Sequence, residues 1–564
     1  MALIRISQKD LCKLSGLKPA QVEPTLTSLG IPLEGTEGDE LALEITPNRP
    51  DWLSVEGVAR SCYSWRTAKP KLYKAALPGA QARDANTLSN SGPVHFILNA
   101  SVRDVRPVLG SAIVHNVQLD ENQLASLIQL QEKLHDTLGR GRRKMAIGLH
   151  DMAGIQPPFT YKAVGREEVR FVPLGRFAPM TPEQILLEHD KGREYAHLVG
   201  ARCPLITDKN GEVLSFPPII NGERTRVGLS SHDLLIDCTG TSEETVRVTV
   251  NILAAALADR GAQIEEVFIN SKPYSIFKPQ VRPIPRVGAS KLLGLPLDAP
   301  ALIRHLARMG HAASAKSVHS PAFRSDILDE VDLIEDIAIS IGYNELPMPL
   351  PSFGSISSSV EDYASLHEAA LGFGYFEVMS WILTSEAVLK KSEMQGPALR
   401  VSNPLTEEFT TLRPWLYPNL LDILAHSKSE PLPIYLYEIG LVERPRSPDA
   451  ETAPDFTQAA HLSAISTHPK SGFSENWAHL SGLARSMGVP LTLREEEIPG
   501  FIPGRCARVA LKGESGAAGS SRVIGLIGEV HPRVLEAFGL EQPTVLFEVE
   551  ADALMNKSAA KKKE

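Results

Sequence analysis

No run of about 18 apolar residues occurs in the sequence, so no segment reads as a bilayer-spanning helix. The N-terminal string MALIRISQKDLCKL puts polar side chains where a secretory signal needs an apolar core, and the expectation is a cytoplasmic protein with no membrane attachment. Cysteine is scarce. Cys12, Cys62, Cys203, Cys238 and Cys506 stand far apart, with no CxxC pair and no Cys/His ligand spacing. That excludes a zinc ribbon and a disulfide framework, and leaves buried free thiols. A basic excess is missing too: 58 Lys and Arg face 67 Asp and Glu, a formal net charge of −9. Bulk electrostatics therefore do not hold nucleic acid, and any RNA contact needs a local basic patch or a partner chain. The common signature loops are absent as well: no GxxxxGK[ST], no GxGxxG after a strand, no HExxH and no GxSxG.

What is present is ordinary globular composition, 43% hydrophobic and 22% charged, over 564 residues. At roughly 100–200 residues per domain this predicts several domains of mixed α+β character. Residues 1–75 alternate short helices and strands. They end in EITPNRPDWLSVEGVARSCY, where Pro47 and Pro50 mark a strand-to-helix turn and Asp51 is the expected cap of a helix from Leu53 to Tyr63. Residues 76–93 are small, polar and proline-punctuated, a predicted linker. Residues 94–270 mix strands (HFILNASVRDV, SAIVHNVQL, DLLIDCTGT) with two long helices. ENQLASLIQLQEKLHDTLGR carries Leu124, Leu127, Ile128, Leu130, Leu134 and Leu138 near helical spacing, and TVRVTVNILAAALADRGA stops at Gly261. KPYSIFKPQVR, 272–282, reads as a second linker opening a compact unit that runs to 345. From 346 to 555 helices alternate with strands such as VMSWIL, PIYLYEIGLVE, SRVIGLIGEV and TVLFEVEAD. Residues 556–564 form a basic tail containing Lys561 to Lys563.

Three strings carry chemistry. In SDILDEVDLIEDIAISIGY, the residues Ile327, Val331, Ile334, Ala338 and Ile341 follow a buried helical stripe. Asp332, Glu335 and Asp336 share the opposite face, and Asp326 lies just before it. Converging carboxylates repel unless a hard cation sits among them, and oxygen ligands suit magnesium or calcium; a solvated acidic face gives the same spacing. In LSFPPIING, two prolines predict an extended, rigid wall between polar turns at Asp208–Gly211 and Asn221–Gly222, with a structural hairpin as the alternative. Arg140, Arg142, Arg143 and Lys144 form a basic turn that reads as solvated surface or as a phosphate contact.

Together, EITPNRPDWLSVEGVAR, GRGRRKMAIGLHD, VPLGRFAPMTPEQIL, LSFPPIINGERT, SDILDEVDLIEDIAISIGY and VSNPLTEEFTTLRPWLYPNLL resemble, in order and over almost the whole chain, the beta-subunit family of phenylalanine–tRNA ligase in its archaeal and eukaryotic-cytosolic branch. The resemblance implies a small N-terminal domain and, over 94–270, an editing domain that hydrolyses tyrosyl-tRNA(Phe). It further implies a winged-helix-like domain over 272–345, whose Asp326, Asp332, Glu335 and Asp336 match a magnesium-ligand pattern. Over 346–555 it implies an antiparallel class II synthetase-like module without catalysis. The implied partners are an alpha subunit (two alpha with two beta), tRNA(Phe), and ATP and phenylalanine through the complex.

The absence of synthesis is legible in the letters. A class II site needs an arginine against the ATP α-phosphate and a glycine-rich loop ending in another. Here Tyr437-Glu438 has no arginine close before it, and Gly525 and Gly528 precede Glu529. The activating chemistry is therefore expected on the alpha subunit. Within 94–270 the expected pocket wall is Ser215 to Asn221, including Pro217 and Pro218. His150, in a Gly148–Asp151 turn, Asp208 and Asn221 are the candidate polar groups. A free-standing editing hydrolase and a non-enzymatic RNA-binding scaffold are the competing functions; the catalytic-like module argues against the first, and the acidic charge against the second.

Overall fold

A computed structural model describes residues 2–79, 93–348, 350, 354, 363–394, 396–446, 456–515 and 521–555. Most of the predicted 76–93 linker and the whole 556–564 tail lie outside the described residues. The chain divides into two compact units, Met1–Leu350 and Pro351–Glu564. Among the described residues no helix is long and apolar enough to cross a membrane, and all five cysteines are free thiols.

The first unit opens with a three-stranded antiparallel sheet in the order Ala2–Ser7, Glu40–Ile45, Leu33–Glu37. Leu41, Leu43 and Ile45 alternate inward, the period-2 signature of a half-buried strand. The helix after Pro47 and Pro50 spans Val55–Thr67, and its cap is Ser54, whose side chain accepts from the Gly57 amide. Asp51 does not cap it. It lies in a short 3-10 turn, where both its oxygens take the Arg49 guanidinium at 2.8 and 2.9 Å; that bidentate pair outcompetes a single amide.

Two sheets form the next region. One runs in the order Ile220–Asn221, Val213–Phe216, Arg202–Thr207, Phe159–Gly165, His95–Leu98, Phe268–Ile269, Lys272–Pro273. The other runs Gln263–Glu266, Val108–His115, Leu234–Gly240, Met145–Asp151. The helix Glu243–Asp259 packs on the second sheet, with Val246, Val250 and Leu253 fully buried. Gly261 follows it at φ +97°, where glycine meets no Cβ penalty. Three expectations change here. Residues 272–282 are not a linker: Lys272–Pro273 and Gln280–Pro283 are strands, and Ile276 is buried between them. Ala76 bridges Glu265, so the described start of the 76–93 segment is paired backbone. Gly148–Asp151 is not a turn but the end of the Met145–Asp151 strand, registered against Leu234–Asp237.

The unit closes with helices Arg286–Leu293, Ala299–Arg308 and Glu330–Ile341 beside a small sheet ordered Gln280–Pro283, Ser317–Ser320, Ala312–Ala313. The buried stripe of Glu330–Ile341 is Leu333, Ile334, Ile337 and Ala338, and Val331 is exposed. Ile327 is buried but precedes the helix, so counting helical spacing from it shifted the stripe.

The second unit is built on a seven-stranded sheet ordered Phe376–Glu377, Ile434–Pro445, Phe456–Thr467, Thr544–Glu550, Ser521–Val530, Phe501–Ser515, Leu491–Glu495. All its pairings are antiparallel except the first. VMSWIL is not a strand; only Leu383–Thr384 pairs there, with Thr411–Leu412.

Candidate functional site

A cavity of about 400 Å³ opens where the helix Glu121–Asp136 passes the hairpin of Val213–Phe216 and Ile220–Asn221. Leu124, Leu127, Ile128, Gln131, Glu132 and His135 share one helical face toward it. Ile128 is 52% exposed, which is why it reads as core from spacing yet lines a cavity. Across from the helix stand Phe216, Pro217, Pro218, Ile219 and Asn221, with Ser215 and Asp237 between.

The wall is not extended. Ile219 N donates to Phe216 O at 2.8 Å, closing a tight turn through a cis Pro217–Pro218 bond, and Phe216 pairs Ile220 in antiparallel register. The hairpin alternative is the structure found. Arg142 fastens that turn: its Nη1 donates to Ile219 O at 2.8 Å and to Pro218 O at 3.2 Å. Its Nη2 reaches Glu132 Oε1 at 3.2 Å, and its guanidinium stacks 4.4 Å from the Tyr195 ring centroid. Arg142 is thus buried machinery rather than solvated surface. Arg140, Gly141 and Arg142 run at φ +51°, +61° and +62°, a left-handed turn that non-glycine residues adopt at a cost, concentrated at sites that need it. Glu132 is half exposed; His135, 3.6 Å away, and then Arg142 and Lys191 hold its carboxyl down to about 2, so it is a permanent acceptor.

Asp237 is the polar hub. Its Oδ2 receives His150 Nε2 at 2.6 Å and Ser215 Oγ at 3.2 Å, while Oδ1 has no protein hydrogen bond among the described residues. His150 Nδ1 meets Thr225 Oγ1 at 2.7 Å. A Cβ on Gly148 would collide with Asp237 and His150, so glycine is what lets strand and carboxylate approach. No serine–histidine pair results: the imidazole faces Asp237 rather than Ser215, and the serine hydroxyl donates to the same carboxylate.

Of the sequence candidates, Pro217, Pro218 and Asn221 line the cavity, Asn221 donating to Leu149 O at 3.2 Å. His150 is fully buried behind it. Asp208 does not line it: it closes the turn joining Arg202–Thr207 to Val213–Phe216, its Oδ1 accepting from the Asn210 and Glu212 amides. Sequence reasoning missed Gln131, Glu132 and Asp237, and did not join them to Ser215 of the expected wall or to Arg142 of the basic turn. Two signals were there: a polar pair interrupting an apolar helical face, and a lone aspartate in the apolar strand LLIDCTG.

A second cavity of about 490 Å³ is lined by Asp326, Asp332, Glu335 and Asp336 together with Asn48, Arg49 and Trp52. All four acidic residues line this one cavity, but not equivalently. Asp336 is buried; its Oδ2 accepts from Arg324 at 2.7 Å and faces His311 Nε2 at 2.6 Å. Asp326 takes the same guanidinium at 2.7 Å. Burial alone would raise both carboxyls, yet Arg324 outweighs it and holds both below the usual range. Asp332 Oδ2 accepts from the Leu328 and Asp329 amides at 2.7 Å, closing the helix cap, and Glu335 is exposed. The donor set is oxygen-only, as a hard cation prefers. Among the described residues no three acidic, His or Cys side chains gather tightly enough to enclose a metal.

In the second unit Glu438 does have an arginine, contributed from 25 residues away: Arg413 Nη1 lies 2.6 Å from Glu438 Oε1. That guanidinium also donates through Nε to Leu441 O and through Nη1 to Ser380, which ties it into the fold. Glu529 pairs with Arg505 and accepts from the Phe473 amide.

Two family models match the chain: the phenylalanyl tRNA synthetase beta chain CLM domain over residues 346–551 and the tRNA synthetase B5 domain over 285–343. The phenylalanine–tRNA ligase beta subunit of Methanococcus maripaludis is 36% identical over 97% of this chain and all of its own length. That of Methanospirillum hungatei is 34% identical over 98% of each chain. Among solved structures, an N-terminal fragment of the phenylalanyl-tRNA synthetase beta subunit from Pyrococcus horikoshii is similar at 34% identity and a TM-score of 0.55, covering 61% of this chain and 100% of the fragment.

Proposed function

The chain belongs to the phenylalanine–tRNA ligase beta-subunit family, and from that premise we propose that it serves ATP-dependent attachment of phenylalanine to tRNA(Phe) beside an alpha subunit while its own cavity proofreads the product. The alpha subunit supplies the synthetic site: in the second unit the arginine nearest a class II position is internally neutralised. Residues 346–555 are then the catalytic-like module, and 272–345 the winged-helix-like domain. The assembly is read as two alpha with two beta subunits.

The observation that carries proofreading is the pairing of an apolar slot with an ionised acceptor. Leu124, Leu127, Ile128 and the Pro217–Pro218 turn enclose a ring, and Glu132 stands on the same helix face to accept a phenolic O–H. A phenylalanine ring offers that carboxylate no donor while taking its solvent away, which is how a hydrogen-bonding site rejects the analogue lacking a hydroxyl. Hydrolysis adds water to the ester carbonyl carbon; the ester C–O bond breaks and the ribose oxygen leaves with a proton, giving tyrosine and free tRNA. Asp237, held through Oδ2 by His150 and Ser215, presents Oδ1 to position that water. In deacylation assays the assembled enzyme is expected to hydrolyse tyrosyl-tRNA(Phe) and spare phenylalanyl-tRNA(Phe), with Asn221→Ala slowing it about tenfold and Asp208→Ala leaving it unchanged. Equal treatment of both aminoacyl-tRNAs by the wild-type enzyme refutes the assignment.

The acidic cavity is read as the magnesium site, with Asp332 and Glu335 offering oxygens at its rim and Asp326 and Asp336 behind them, tied to Arg324. Magnesium there would neutralise the converging carboxylates. Glu335→Ala is expected to weaken magnesium binding by at least tenfold in titration calorimetry without loss of helicity. Asp332→Ala should weaken it similarly and also cost about 1 kcal/mol of helix capping. Unchanged binding in both variants would leave the face as solvated surface.

A further inference from the structure

Phe177 is fully exposed, at 103% of its reference area; a single exposed apolar side chain is ordinary by itself, and its place in the fold is what distinguishes this one. It stands on a loop built into the cavity wall. Phe171 and Met180 exchange backbone hydrogen bonds at 3.1 and 2.9 Å at the loop's base. Leu174 N donates to Asn221 O at 2.9 Å, and Gly175 N donates to Glu223 Oε2 at 2.7 Å. Leu174 and Gly175 themselves line the cavity, and Gly175 turns the chain at φ +81°. The ring is therefore carried two residues from the cavity's lining on a braced turn.

The charge around it is mixed, with one cation left unpaired. Arg176, beside Phe177, is exposed and has no carboxylate partner among the described residues. Arg226 and Lys191 line the same cavity with side chains 66% and 40% exposed. The carboxylates near them are engaged: Glu223 by Gly175 N and Arg226, Glu194 by Lys191. In a chain of net charge −9, Arg176 is thus the uncompensated cation of this rim, beside the exposed Arg226 and Lys191.

We propose that the 172–179 loop is the docking platform for the single-stranded 3′ end of the tRNA, Phe177 stacking on a base that precedes the terminal nucleotide while Arg176 and Arg226 neutralise its phosphates. The inference rests on the proofreading reading: with the aminoacyl group in the slot, the terminal ribose and the nucleotides before it must leave across this rim. An exposed aromatic beside cations is what single strands dock on, because every base has a stacking face and every linkage a charge. Surface apolarity alone would suit a protein partner equally. The adjacent unpaired arginine and the continuity with the slot favour RNA.

The experiment uses the assembled enzyme and two esters, tyrosyl-tRNA(Phe) and tyrosyl-adenosine, the second lacking the preceding nucleotides. Phe177→Ala is expected to raise KM for the tRNA about tenfold with kcat within twofold, to leave tyrosyl-adenosine hydrolysis unchanged, and to be rescued by Phe177→Trp. Arg176→Ala is expected to make the salt dependence of tRNA binding shallower by about 0.7 in log–log slope. Unchanged KM and tRNA affinity in Phe177→Ala overturn the proposal. An equal loss on both esters overturns it too, since the slot itself would then be disturbed, and so does weaker subunit association with unchanged KM, which would mark a protein contact. If the wild-type enzyme hydrolyses neither ester, the proofreading reading fails instead; the platform then stands or falls on tRNA(Phe) affinity, measured by filter binding of wild type against Phe177→Ala.

Discussion

Replacing Arg324 by methionine is expected to destabilise the 285–341 region by about 3–5 kcal/mol, the range for removing one partner of a buried ion pair. Arg324 is 2% exposed and holds Asp336 and Asp326 at 2.7 Å each. Methionine fills similar volume, so the loss measures uncompensated charge rather than a void. Amide exchange across Glu330–Ile341 reads it locally, without assuming that a two-unit chain unfolds in one step; protection should fall by at least a hundredfold. The pH dependence fixes the sign. In the wild type, Arg324 holds both carboxyls below their ordinary range, so their contribution is complete above the usual carboxylate pKa of about 4 and is lost as pH falls through the depressed values. In the variant, burial raises the Asp336 carboxyl against His311 and Arg49 alone, so lowering the pH towards 4 should recover part of the lost stability. A variant that weakens on acidification like the wild type would mean that solvent, not Arg324, neutralises the pair.

Arg324 also shows where sequence reading stopped. The helix Glu330–Ile341 was legible because its carboxylates and the spacing of Ile334 and Ala338 are local signals, although the stripe was counted from Ile327 ahead of it. That a guanidinium two residues before Asp326 turns inward, making two of four apparent metal ligands into ion-pair partners, depends on His311 and Met309, whose His311 Nε2 and Met309 O also meet it. Proximity of that kind leaves no periodicity. The Phe216–Ile219 segment failed differently. A residue before proline favours extended backbone, which made a straight wall the natural expectation. Pairing of Val213–Phe216 with Ile220–Asn221 then required the chain to reverse within the three residues Pro217, Pro218 and Ile219. Tertiary register overrode local preference.

The cavity was half legible for a related reason. Periodicity separates faces that meet core from faces that meet water; it has no pattern for a face that meets a void. Ile128 counts as core and Gln131 and Glu132 as surface, yet all three line one space. Asp237 was the better clue, because a carboxylate inside an otherwise apolar strand must be paired or functional, and it has His150 and Ser215 on one oxygen only.

Arg142→Gly is expected to reduce kcat/KM for tyrosyl-tRNA(Phe) hydrolysis by a hundredfold or more while aminoacylation by the assembled enzyme stays within twofold. The guanidinium makes three hydrogen bonds that define the slot, to Pro218 O, Ile219 O and Glu132 Oε1. Each charge-assisted bond is worth roughly 1.5–3 kcal/mol, so losing even one through a shifted wall or a reoriented Glu132 costs about one to two decades. Glycine is the informative replacement. At φ +62° it takes the native backbone without the strain arginine carries, so loss of hydrolysis reports the side chain and not a broken turn. Arg142→Lys separates charge from geometry. An ammonium keeps the positive charge beside Glu132 but cannot donate in a fork to two carbonyls at once, so it should restore less than a tenth of the lost rate. Restoration close to wild type by lysine would mean that Arg142 acts as a point charge on Glu132, and that the Pro217–Pro218 turn holds its shape unaided.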